Sequence, residues 1–69
     1  MTYLIGTSIR GFSYYVKITY EGARYPDFIF VGVIDNATEY PDEESAKATM
    51  RKIARRTVNT LKITPKESR

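Results

Sequence analysis

The sequence predicts an α+β domain in the order β-β-β-α: a three-stranded antiparallel β-meander packed against one long C-terminal α-helix. Three observations carry this. The run from Phe12 to Glu21 alternates with a strand's period of two, placing Tyr14, Val16, Ile18 and Tyr20 on one face and Ser13, Tyr15, Lys17 and Thr19 on the other. Phe28 to Asp35 is a second extended run, apolar on both faces, as a strand covered on both sides would be. From Asp42 to Lys62, apolar residues recur at helical spacing at Ala46, Met50, Ile53 and Leu61, with Ala54, Thr57 and Val58 widening the stripe.

Each element has local support. Thr2 to Ile9 reads as the first strand, weakened at Gly6 or bulged there. The alternative is a loose arm over Met1 to Ile9, which would leave a two-stranded hairpin. Arg10-Gly11 and the stretch from Glu21 to Asp27 carry turn residues. Asn36 to Glu39 then crosses to the helix. Pro41 excludes a continuous helix from upstream, and Asp42 is the expected N-cap. Ser45 stands where a capping box would need Glu or Gln. Past Leu61 the helix is expected to fray toward Pro65, so residues 1–64 form one domain and 65–69 a disordered tail.

The chain has 69 residues, near the lower limit for a single unaided core, and is 42% hydrophobic. Neither cysteine nor histidine occurs. Disulfides and thiolate metal sites are therefore excluded, and the commonest metal ligand and general base is missing. The four glycines are scattered, and none opens a helix as a phosphate loop would. Asn36-Ala37-Thr38 matches the glycosylation sequon, a triplet common by chance. The expectation is a protein that is not an enzyme and has no catalytic residue, metal or cofactor. With no apolar run of membrane-spanning length and no signal-peptide pattern, a cytoplasmic chain without membrane contact is expected.

Two surfaces are candidates for function. If the helix covers the face bearing Val16, Ile18, Val31 and Val33, the other face displays Tyr15, Phe28, Phe30 and Ile34. Such an aromatic patch points to a protein partner or a homodimer, unless Met1 to Ile9 folds across it or a twist tucks Phe28 into the helix side. The second surface is the source of the +3 net charge. Asp42, Glu43 and Glu44 open the helix, whereas Lys47, Arg51, Lys52, Arg55, Arg56 and Lys62 follow with no acid between them. Arg51, Lys52, Arg55, Arg56 and Lys62 are the candidate nucleic-acid contacts. The same pattern also suits a solvated helix whose charges complement its dipole.

One order of elements resembles a known family. A strand ending in Tyr20-Glu21-Gly22, a second strand, then Thr38-Glu39-Tyr40 and Glu43-Glu44-Ser45-Ala46 resemble the N-terminal arm-binding domains of tyrosine recombinases over residues 13–54. The resemblance implies a three-stranded sheet, backed by a helix and set in the DNA major groove. Sheets of that family are rich in Arg and Lys, whereas this one offers Lys17 among aromatics, so no binding residue is carried over. A short chain of this kind also looks like the accessory proteins of bacteriophages, many of which inhibit host factors. The leading expectation is a non-catalytic interaction or inhibitor protein, and the alternative is a phosphate-contacting nucleic-acid module.

Overall fold

The computed structural model describes residues 1–22 and 25–66. Strands β1 (Thr2–Ile9) and β2 (Phe12–Tyr20) form a hairpin closed by the pair Ile9 and Phe12. Its two-residue turn has positive φ at both positions, 53° at Arg10 and 84° at Gly11, matching the twist that two-residue hairpins require. Strand β3 (Asp27–Val31) pairs with β2, and β4 (Lys62–Lys66) pairs with β1. All pairs are antiparallel, in the order β3-β2-β1-β4. Helix α1 (Glu43–Ile53) packs on one face.

The sheet therefore has four strands among the described residues, which corrects the predicted three-stranded meander. The fourth comes from sequence assigned to the helix end and the tail. Helix α1 covers 11 residues and gives way to a short 3-10 turn at Ala54–Arg56. The cause is local. Thr57, Val58, Asn59 and Thr60 are all weak helix formers, and the Thr57 hydroxyl accepts a hydrogen bond from the Asn59 N–H at 3.2 Å, a turn that competes with helix. Val58, expected on the apolar stripe, is fully exposed, and Ala54 is exposed too. Leu61 and Ile63 still reach the core, but from the connection into β4 and from β4 itself. Pro65 and Lys66, expected in the tail, belong to β4, while residues 67–69 lie outside the described residues.

The start of the helix follows the sequence closely. The Asp42 carboxylate accepts the Ser45 N–H at 2.7 Å, and these contacts hold the carboxyl below the usual carboxylate range. Glu43 and Glu44 occupy the first turn and Arg51 and Lys52 the last, complementing the helix dipole. Ala46 and Ile53 are fully buried against Ile5 of β1 and Val16 of β2. Around them pack Tyr3, Ile18, Phe28, Phe30, Tyr40 and Met50.

The hairpin is paired only near its turn, from Gly6 with Tyr15 to Ile9 with Phe12. Beyond that the two strands part, and residues 38–40 enter the gap. The Thr38 N–H donates to the Val16 carbonyl at 3.1 Å, and the Thr38 hydroxyl accepts from the Ile18 N–H at 2.8 Å. On the other side Tyr40 and Tyr3 exchange both backbone hydrogen bonds at 2.9 Å. The segment thus satisfies backbone groups that the separated strands would otherwise leave unpaired. Gly6, at the point of parting, continues a regular ladder, and the sheet's irregularity lies between Ile18 and Tyr20 instead. A side chain at Gly6 would crowd the Thr64 hydroxyl at 3.3 Å.

Two outcomes are expected. Ile53→Asp puts a charge in the buried cluster and costs several kcal/mol, comparable with the whole stability of so small a domain, whereas Arg55→Asp on the exposed side changes it by about 0.5 kcal/mol or less. Equal losses in thermal melts would refute this core. Thr38→Val keeps the shape but strips the Ile18 N–H of its acceptor, and should cost about 1–3 kcal/mol in urea denaturation. Thr38→Ser keeps the hydroxyl and should avoid most of that loss.

Candidate functional site

Strand register decides which residues share a face. Val16 stands opposite Phe30 and Ile18 opposite Phe28, so both phenylalanines lie on the helix side. There they are half-buried, with ring centroids 5.6 Å apart in an edge-to-face arrangement. Tyr15 stands opposite Val31 on the other face, and Ile34 lies in a 3-10 turn (Ile34–Asn36) packed toward β2. Tyr15, Phe28, Phe30 and Ile34 therefore form no common patch. The predicted facing put Phe28 and Phe30 on the wrong side because residue parity gives each strand two faces without saying how neighbours align.

Part of the face away from the helix is covered from within, over Leu4, whereas Lys17, Thr19 and Ile29 on the same face stay exposed. After β3 the chain crosses it and is held at the far side by Lys66. The Lys66 ammonium lies 3.2 Å from Asp35 and 3.3 Å from Glu39, and Glu39 also accepts the Thr2 hydroxyl at 2.7 Å. Beneath this crossing Leu4 and Ala37 are buried, apart from the helix-side cluster. Tyr15 lies against Gly6 and shares a hollow of about 90 Å³ with Lys62 and Thr64.

The basic residues are divided. Arg51, Lys52 and Arg55 are exposed near the end of α1. Arg56 is engaged at the surface: its guanidinium donates to the Pro26 carbonyl at 3.1 Å and lies 3.6 Å from the Asp27 carboxylate. Arg55, Arg56, Tyr25 and Asp27 line an open cleft of about 590 Å³. Lys62 pairs with Gly6 on β4 and belongs to the opposite face of the sheet.

What the register does expose is an edge. The backbone groups of Val16 and Ile18 are turned toward Thr38, away from β3. In an antiparallel ladder the neighbouring residues then bond the other way, so Lys17 and Tyr15 hold Ile29 and Val31. The N–H and C=O groups of Phe28 and Phe30 consequently point outward. Among the described residues no backbone group pairs with them. The same alternation on β4 turns Ile63 and Pro65 outward, and Pro65 has no N–H to give. Lys62 and Lys66 flank them. Edge strands are commonly protected in this way, by proline and lysine. Strand β3 has neither, and its one charge, Asp27, sits at its start beside Arg56. Ile29 is 49% exposed on this undefended edge.

Other chemistry is sparse. Among the described residues no group of three or more acidic side chains is gathered as a metal site would need, and no helix is long and apolar enough to cross a membrane. The Tyr40 hydroxyl is buried without a hydrogen bond of good geometry among them. Burial pushes it above its ordinary pKa, and the nearby Thr49 side chain offsets this in part. Compared with known proteins, the chain matches no family model, no curated protein and no solved structure. The likeness to arm-binding domains thus gains no support there, and the three-stranded sheet it implied is replaced by four strands.

The crossing segment has a pH signature. Hydrogen bonds from Thr2 and then Lys66 hold the Glu39 carboxyl below its usual range, so its stabilising effect is present above the unfolded pKa and lost as pH falls through the folded one. The Lys66 ammonium is held above its usual range, first by Asp35 and then Glu39, so its effect persists below the unfolded pKa and is lost as pH rises through the folded one. Glu39→Gln should therefore lower Tm at neutral pH and converge with the unmodified chain at an acid pH where the folded Glu39 is protonated, below the normal glutamate range. A Tm difference unchanged at that pH would show that the charge of Glu39 is not what holds the crossing.

Proposed function

We propose that this chain is a non-catalytic interaction protein that binds a protein partner by adding a strand to the free edge of β3. The observation that carries this is the outward set of backbone donors and acceptors at Phe28 and Phe30, on an apolar strand without lysine or proline. Strand addition draws affinity from main-chain hydrogen bonds and selectivity from alternate side chains. Here the side chains on offer are Ile29 on one face and the Phe28–Phe30 pair on the other. Phosphate binding is not proposed, because the five candidate cations are split between the two faces and Arg56 is engaged by Pro26 and Asp27.

A displayed library of random peptides provides the test. Selected ligands should be extended, alternating apolar sequences, and should shift the amide resonances of Phe28 and Phe30 before any others. Ile29→Lys, which puts a charge on the edge without touching the helix-side core, should abolish their binding. Ligands that instead perturb Arg51, Lys52 and Arg55 and bind the Ile29→Lys variant equally well would overturn this reading.

A further inference from the structure

We propose that the strand added to this edge is β3 of a second copy of the chain, docked antiparallel about a two-fold axis at Ile29. Two four-stranded sheets would then run on as one. The inference rests on reading β3 as an open edge, and adds the identity of its occupant. What selects a second copy is the symmetry of the strand itself. A two-fold axis sets residue i against j and j against i, so each contact is made twice and must join residues that suit each other. In Phe28-Ile29-Phe30 the residues flanking the axis are both phenylalanine, so the doubled contact is an aromatic pair.

The consequences follow position by position. With the axis at Ile29, Phe28 of one copy stands opposite Phe30 of the other, twice. These are the two residues whose N–H and C=O groups point outward, so both become fully hydrogen-bonded pairs. Centring the axis on Phe30 would instead set Phe28 against Gly32, beyond the end of the strand. On the helix side the two edge-to-face aromatic pairs join into one cluster across the axis. On the other face the two Ile29 residues meet as a non-hydrogen-bonded pair, with Cα atoms about 4.5 Å apart.

The ends fit as well. Asp27 meets Val31 of the second copy, so the two carboxylates stand at opposite ends of the pairing instead of facing each other. The other edge offers no such symmetry, since Pro65 interrupts its donors.

Sedimentation and hydrogen exchange on the full chain test this together. The unmodified protein should sediment at micromolar concentration with twice the 7.9 kDa mass of the chain, and its Phe28 and Phe30 amides should exchange slowly. Ile29→Lys sets two like charges against each other at the axis and should weaken association at least about tenfold, giving a monomer with an unchanged circular-dichroism spectrum and fast exchange at both amides. Val58→Lys removes a fully exposed apolar residue elsewhere and should leave the dimer intact. A dimer that survives Ile29→Lys would overturn the inference, because the contact would lie elsewhere. So would a monomer up to millimolar concentration; if that monomer still binds extended peptides at Phe28 and Phe30, the open-edge reading stands while the second copy is excluded. A monomer that binds none would remove both.

Discussion

The structure depends on the parting of β1 from β2 beyond Gly6 and Tyr15. Two strands that separate leave inward-facing backbone groups without partners, a condition proteins avoid because each unpaired buried group costs a good part of a hydrogen bond. Residues 38–40 resolve it by serving both sides at once, Thr38 toward β2 and Tyr40 toward β1. That position dictates much else. To reach it the chain leaving β3 must cross the sheet's far face, and on leaving it the chain is already at the start of α1 on the near face. Both covers of the sheet are consequences of one insertion.

The two covers differ in kind. The helix side is an apolar cluster centred on Ile5, Val16, Ala46 and Ile53. The far side buries little beyond Leu4 and Ala37 and is held mainly by charge at Lys66, with Asp35 and Glu39 as its partners. Most of these groups are exposed, and exposed ion pairs contribute little singly. Their effect is to position the crossing, while the burial beneath it supplies the stabilisation. Beside these two covers, the outer strand edges are what the sheet leaves unpaired. Proline and lysine close β4, and β3 is left open. The functional proposal follows from that asymmetry.

Part of this edge was legible in the sequence. Phe28 to Val31 contains no lysine or proline, and Phe-Ile-Phe is visibly symmetric. The apolar character of both faces suggests a need for cover from outside, whereas the fold leaves Ile29 half-exposed and supplies part of that cover from within. Its source was the stretch from Gly32 to Glu39, which looks like a plain connection because its anchoring residues, Asp35, Thr38 and Glu39, are ordinary polar side chains with no pattern of their own. Nor does a sequence show that Lys66 will stand beside Thr2, within reach of Asp35 and Glu39. That placement exists only once β4 lies beside β1.

The elements whose cause is local are legible along the chain: the alternation of β2, the Arg10-Gly11 turn, the Asp42 cap and the inward face of Ala46, Met50 and Ile53. Periodicity, turn chemistry and capping act over a few residues, so they can be read a few residues at a time. The rest depends on partners distant in the chain. Thr57 to Lys66 has weak preferences, and it became a turn and an edge strand because β1 offered a free ladder on its outer side. The side of the sheet taken by Phe28 and Phe30 was likewise set by pairing with Val16 and Ile18, since a slip of one residue sends every side chain of a strand to the opposite face.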